Sequence, residues 1–260
     1  MRKTSVEYWD GVWSAETNES ILDPQGRLIR HQFDRALDAA ISECFKAWGS
    51  VPETLIELGC GGSIYLPYFA KRGIRIAGID YSTRGRDQAR ASLAANNVPG
   101  DIYEGDIFSP PENLRGKFDV VFSAGLFEHF DDTAAAISAG KQFLRPGGLM
   151  ISTIPNMRGI PGCLQRRLDR RLFDIHVPLD RDQFAEAHRR AGLTVLRSSY
   201  VMTLNFYVLQ YSAESSWIGL TLRALRTAIM RSVWWSERTF AWSYPNRLTS
   251  PYVLCAARLP

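Results

Sequence analysis

Residues 55–63 read Leu55-Ile56-Glu57-Leu58-Gly59-Cys60-Gly61-Gly62-Ser63, an apolar run that ends in glycines and leads straight into helical spacing. A strand that stops in glycines lets the backbone pass close to a ligand with no Cβ in the way. The helix that follows aims the free N–H groups of its first turn at the same point. In open α/β sheets, ligands sit at the carboxyl ends of the strands, where this loop lies.

The rest of the chain agrees with a sheet of that kind. Short β-branched or apolar runs at 54–59, 75–80, 101–106, 119–124, 149–154, 193–201 and 252–259 alternate with helical patterns at 63–72, 83–96, 133–143 and 180–191. This alternation predicts an α/β, Rossmann-like, mostly parallel seven-stranded sheet with helices on both faces. A chain of 260 residues suits one domain, with its cofactor-binding core at 51–154. Three segments fall outside the rhythm: a helical lid at 1–50, an arginine-rich insertion at 155–180, and an aromatic insertion at 202–250. These are expected on the substrate side.

The strand ends narrow the ligand. The second strand closes on Asp80, about 20 residues beyond the glycine loop, where a carboxylate can accept both ribose hydroxyls. A dinucleotide site would want a third glycine at position 64, but Ile64 stands there. Gly105-Asp106-Ile107 ends the third strand, where a carboxylate can hold an adenine amino group while an isoleucine packs on the ring. Adenosine capped by a short amino acid fits such a site better than a pyrophosphate does.

At this point the chain resembles the class I S-adenosylmethionine-dependent methyltransferases, in particular the ubiquinone-biosynthesis-type small-molecule branch. The matching residues are Glu57-x-Gly59-x-Gly61-Gly62, Gly78-Ile79-Asp80-Tyr81-Ser82, Gly105-Asp106, Phe118-Asp119-Val120-Val121-Phe122, Phe127-Glu128-His129 and Leu144-Arg145-Pro146-Gly147-Gly148. The resemblance implies S-adenosylmethionine as cofactor. Glu57, Gly59, Cys60 and Gly61 would hold its methionine portion and Asp80 its ribose. Tyr81 and Ile107 would sandwich the adenine, Asp106 would take the adenine amino group, and the Ser123 and Ala124 carbonyls would line the methionine tail.

Methyl transfer from a sulfonium is an in-line displacement, so the protein mainly aligns the acceptor and excludes water. A hydroxyl acceptor also needs its proton removed. His129, with Glu128 beside it, lies just past the fourth strand and is the candidate base. A role in shaping the pocket stays equally open. If His129 is the base, His129→Ala lowers turnover far more than cofactor affinity. Tyr8, Trp9 and Trp13 have helical spacing; the resemblance implies that such an N-terminal helix closes over the cofactor, and packing on the sheet is the alternative. Arg158 and His176 in the first insertion are further acceptor-side candidates.

The late insertion carries an apolar helical face at Ile218, Leu222, Leu225, Ile229 and Val233, with Arg223, Arg226 and Arg231 on another side. It is expected to cap the pocket, with dimer contact and peripheral membrane contact as alternatives. The four cysteines are scattered and lack zinc-like spacing, so neither a metal nor a disulfide framework is expected, in keeping with a cytoplasmic protein. No secretory signal or run of roughly 18 apolar residues is evident. A net charge of +4 without a dense basic stripe speaks against nucleic acid. The expected partner is a small-molecule acceptor, methylated most readily on oxygen, in a secondary metabolite or a sugar-containing intermediate. Methylation on nitrogen, a non-catalytic cofactor-binding role and a nicotinamide oxidoreductase are the alternatives. Monomer and homodimer both stay open.

Overall fold

Strand alternation sorts the apolar residues onto two faces of one sheet. In β1 (Thr54–Leu58), Ile56 and Leu58 join one buried cluster while Leu55 joins the other, as a period of two requires. The computed structural model describes residues 2–14, 21–28, 31–209 and 217–260, with backbone alone at 217–220 and 222. Its remaining strands are β2 (Arg75–Asp80), β3 (Asp101–Glu104), β4 (Phe118–Ala124), β5 (Leu144–Pro155), β6 (Thr194–Val201) and β7 (Tyr252–Arg258).

The seven strands form one sheet in the order β3-β2-β1-β4-β5-β7-β6. Strands β1 to β5 are parallel, and β7 runs antiparallel to both β5 and β6. The chain winds outward from β1 through β2 to β3, then returns to place β4 on the other side of β1. That reversal opens a crevice at the carboxyl ends of β1 and β4, where α/β sheets bind ligands.

Helices α2 (Gln32–Trp48), α3 (Tyr65–Ala70) and α4 (Thr83–Ala95) cover one face through Ile41, Phe69 and Leu93. Helices α5 (Thr133–Gly140) and α8 (Arg181–Arg190) cover the other through Ile137 and Phe184. Local chemistry sets their starts. Ser82 accepts from the Gly85 amide at the head of α4, and Asp180 with Gln183 forms a reciprocal capping box on α8. A short helix α1 (Val6–Val12) precedes the sheet, and α6 (Ile160–Leu168) and α7 (Arg170–Asp174) fill the first insertion.

Several boundaries differ from the sequence reading. Strand β3 stops at Glu104, which puts Gly105 and Asp106 in the following turn. Strand β5 begins at Leu144 and takes Arg145–Gly148 into its first residues. The helix expected from 63 starts only at Tyr65, because Ser63 turns its hydroxyl back to accept from the Tyr65 and Leu66 amides. Helix α9 (Trp217–Phe240) occupies the late insertion. It is anchored by buried Met230 and Trp234, the indole of which donates to the Leu204 carbonyl at 3.2 Å. Among the described residues α9 docks on 202–209 and the start of α2, and it contributes nothing to the cavity wall described below. The side chains of Trp217, Ile218 and Leu222, expected on the cap, lie outside the described residues.

Candidate active site

Glycine geometry sets the floor of the cleft. Gly59 closes β1 with φ of +69°, in the left-handed region that side chains disfavour. A Cβ on Gly61 or Gly62 would lie 2.6 Å from the Trp13 ring, so both positions must be bare for the indole to lie on the loop. Asp80 ends β2 beside this loop. One of its oxygens accepts from the Gly61 amide at 2.9 Å and the other from the Ser82 amide at 2.8 Å. These bonds fix the carboxylate and leave it lone pairs for ribose hydroxyls. Desolvation raises the Asp80 carboxyl above its usual range, against the two backbone amides that lower it.

Glu57, inside the sheet one strand over, accepts from the Ser63 hydroxyl. Burial pushes its carboxyl up to about 8. A cationic ammonium at this spot would give that carboxylate the charge partner it lacks. Together these residues border a cavity of about 390 Å³. Its floor is Glu57, Gly59, Gly61, Gly62 and Asp80, with Ala124, Gly125 and Leu126 at the end of β4. A strongly bent glycine loop, a ribose-compatible carboxylate and a second buried carboxyl fit the methionine and ribose portions of S-adenosylmethionine.

The roof is the N-terminal segment. Trp9 and Trp13 line the cavity, stacked on each other with centroids 6.2 Å apart. Asp10 ties α1 to the floor by accepting from the Ser82 hydroxyl at 2.6 Å. Tyr8 does not line the cavity. It packs edge-on to Trp9 and faces Asp169, whose charge adds to the desolvation that raises its phenol.

The expected adenine corner has a different tenant. Arg2 pairs with Asp106 at 2.6 Å and lies 4.4 Å over the Tyr81 ring. A flat cation thus rests on the ring and the carboxylate assigned to adenine, and neither Asp106 nor Ile107 lines the cavity. Asp106 also accepts from the Phe108 amide at 3.0 Å, which fixes its turn. Cys60 and Ser123 are buried beneath the floor, behind the lining residues.

The far wall comes from Tyr65, Thr153, Ile154, Pro155 and Tyr252. None of these was singled out in the sequence. Pro155 and Tyr252 are register partners across β5 and β7, so one antiparallel pair carries the wall. Burial pushes the Tyr252 phenol up to about 12, so its hydroxyl keeps its proton at neutral pH.

Glu128 and His129 occupy a single 3-10 turn, Phe127–His129, after β4. Both are buried, and neither lines the cavity. Trp9 stands edge-on to the His129 ring at 5.1 Å, between it and the cleft. Burial first, then the neighbouring His176, pushes His129 down to about 4. His176 sits 4.7 Å from His129 between ring centroids. Arg158 is exposed and donates to the Pro178 carbonyl at 3.1 Å, away from the cavity.

A family model described as "Methyltransferase domain" matches residues 29–198. A ubiquinone biosynthesis O-methyltransferase of Psychrobacter cryohalolentis is 29% identical over 157 residues, covering 58% of this chain and 60% of that protein. A ribosomal RNA small subunit methyltransferase C of Alcanivorax borkumensis is 31% identical over 154 residues, covering 57% of this chain and 46% of that one. The chain therefore spans about half to three fifths of the length of these relatives. A solved putative sarcosine dimethylglycine methyltransferase from Galdieria sulphuraria shares the fold, with a TM-score of 0.59 over 97% of both chains at 14% identity. So does a geranyl diphosphate C-methyltransferase from Streptomyces coelicolor, with a TM-score of 0.57 over 98% of both chains at 17% identity. A matching family model over most of the length, the seven-stranded sheet and a cleft fitted to the cofactor place this chain in the methyltransferase-domain family, the class I S-adenosylmethionine-dependent methyltransferases.

Proposed function

We propose that this chain methylates an oxygen of a small, flat, largely apolar acceptor such as a phenolic secondary metabolite. The observation that carries the reading is the single cavity that runs from the Gly59–Asp80 floor to the aromatic wall of Tyr65, Pro155 and Tyr252. When bound, S-adenosylmethionine supplies an activated methyl group. The wall then has to hold the acceptor in line with the methyl–sulfur bond, and the Trp9–Trp13 roof has to exclude water. The new oxygen–carbon bond forms as the carbon–sulfur bond breaks, releasing S-adenosylhomocysteine.

The acceptor's proton decides between hydroxyl types. Direct transfer to His129 requires Trp9 to leave its place, and a buried ring with so low a pKa is a weak base. An acidic hydroxyl, as on a phenol, can leave its proton in solvent before the roof closes and enter as the phenolate, whereas a sugar hydroxyl cannot readily do so. The O-methyltransferase names among the relatives support oxygen over nitrogen. The test is calorimetry with S-adenosylmethionine, followed by release of S-adenosylhomocysteine with phenols, aryl amines and sugars of similar size. The expected result is micromolar cofactor binding and release that depends on the phenol. No cofactor binding sinks the whole reading, and equal release with amines sinks the choice of oxygen.

A further inference from the structure

Beside Trp9, three side chains from two distant stretches of sequence come together around His129. Glu128 and His129 come from the 3-10 turn after β4, and His176 from the loop after α7. One ligand atom from each lies within 4.8 Å of the other two. Both imidazoles have their tautomers set from outside the cluster. His129 Nδ1 is 3.0 Å from the Ile175 carbonyl, and His176 Nδ1 is 2.7 Å from the Leu172 carbonyl. A carbonyl only accepts, so each Nδ1 carries the hydrogen and each Nε2 is left with a lone pair. The Glu128 Oε2 atom is buried and has no hydrogen-bond partner among the described residues.

Two imidazole nitrogens and one carboxylate oxygen, with both rings oriented through their second nitrogen, form the donor set of a transition-metal site. We propose that Glu128, His129 and His176 bind one divalent first-row transition ion, zinc foremost. Lys3 is the cation whose charge reaches both imidazoles, and its ammonium is bonded to the Asp174 carbonyl at 3.0 Å and paired with Asp131 at 3.7 Å. Its ammonium is held by these oxygens and makes no hydrogen bond to the three cluster side chains. A metal ion takes a deprotonated carboxylate and neutral imidazoles, the donor types gathered here. Nitrogen-rich ligation disfavours magnesium, which prefers oxygen. The scattered cysteines predict no metal, and this site uses no cysteine.

The ion would clamp the first insertion to the end of β4. The Val177 amide already donates to the Glu128 carbonyl at 2.7 Å along the same seam. Three protein ligands also leave a coordination position open.

The test uses the full chain, stripped with a chelator and titrated with Zn²⁺ by calorimetry and with Co²⁺ by visible absorption. Affinity for S-adenosylmethionine is measured on the same samples, so a folded cofactor site is confirmed independently of the metal. The expected result is one equivalent bound at micromolar affinity or better, with visible Co²⁺ bands and little competition from Mg²⁺. His176→Ala and Glu128→Gln should each weaken Zn²⁺ binding by at least about tenfold while cofactor affinity holds. Two outcomes overturn the proposal. One is wild-type protein that takes up neither ion. The other is full-affinity binding retained in both variants, which would move the ion elsewhere, for instance to exposed Cys163.

Discussion

The floor and the roof of the cleft are held in different ways. The floor is backbone-built: Gly59 closes a strand in a left-handed turn, and Asp80 is pinned by two amides from its own neighbourhood. The roof is a seven-residue helix held by side chains that reach across the chain, Asp10 to Ser82 and Arg2 to Asp106, and by one backbone bridge at Arg2–Phe130 just before it. Backbone bonds inside a sheet break only with the sheet, whereas a short helix on a few side-chain contacts opens at low cost. The difference matches the work each part has to do. The floor must be ready before the cofactor arrives, and the roof must let it in.

The sharpest way to break this comparison is at Asp80. Asp80→Ala removes the ribose acceptor from the fixed floor and should weaken S-adenosylmethionine binding about 10- to 100-fold by calorimetry. A change under twofold would show that the floor does not hold the ribose. A smaller effect is expected from pH. The folded protein keeps Glu57 protonated up to about 8, while the unfolded chain releases that proton near the ordinary 4.5. Between those values the folded state binds more protons, so stability falls as pH rises. The melting temperature of cofactor-free protein should therefore drop from pH 5 to pH 8, and Glu57→Gln should flatten the slope. The smallest effect belongs to the roof. Arg2→Ala frees Asp106 and the Tyr81 ring, and should tighten cofactor binding roughly two- to fivefold, as a partly exposed ion pair warrants. Weaker binding in that variant would mean that Arg2 helps to hold the adenine.

The floor was legible in the sequence because its signals are local. Glycines after an apolar run, and a carboxylate at the next strand's end, mean the same thing wherever the rest of the chain goes. The wall was not legible. Tyr65, Thr153 and Tyr252 come from the start of a helix and the ends of two strands, and only the antiparallel pairing of β5 and β7 brings the latter two near. Arg2 was missed for the same reason, since its partner lies 104 residues away. His176 was readable as a residue but not as a neighbour of His129. The placement of α9 on 202–209 depended on Met230 and Trp234 finding a buried seat, which helical periodicity alone does not locate.

The position of β7 has a consequence for how the molecule assembles. Although last in sequence, β7 lies between β5 and β6, and β6 joins the sheet only through it. Its pairing with β5 closes a loop of about a hundred residues, a slow step by contact-order reasoning. Tyr252 rides on that strand. A partly folded chain can thus possess the cofactor floor while still lacking the acceptor wall, so the last pairing completes the sheet and the reaction chamber at once.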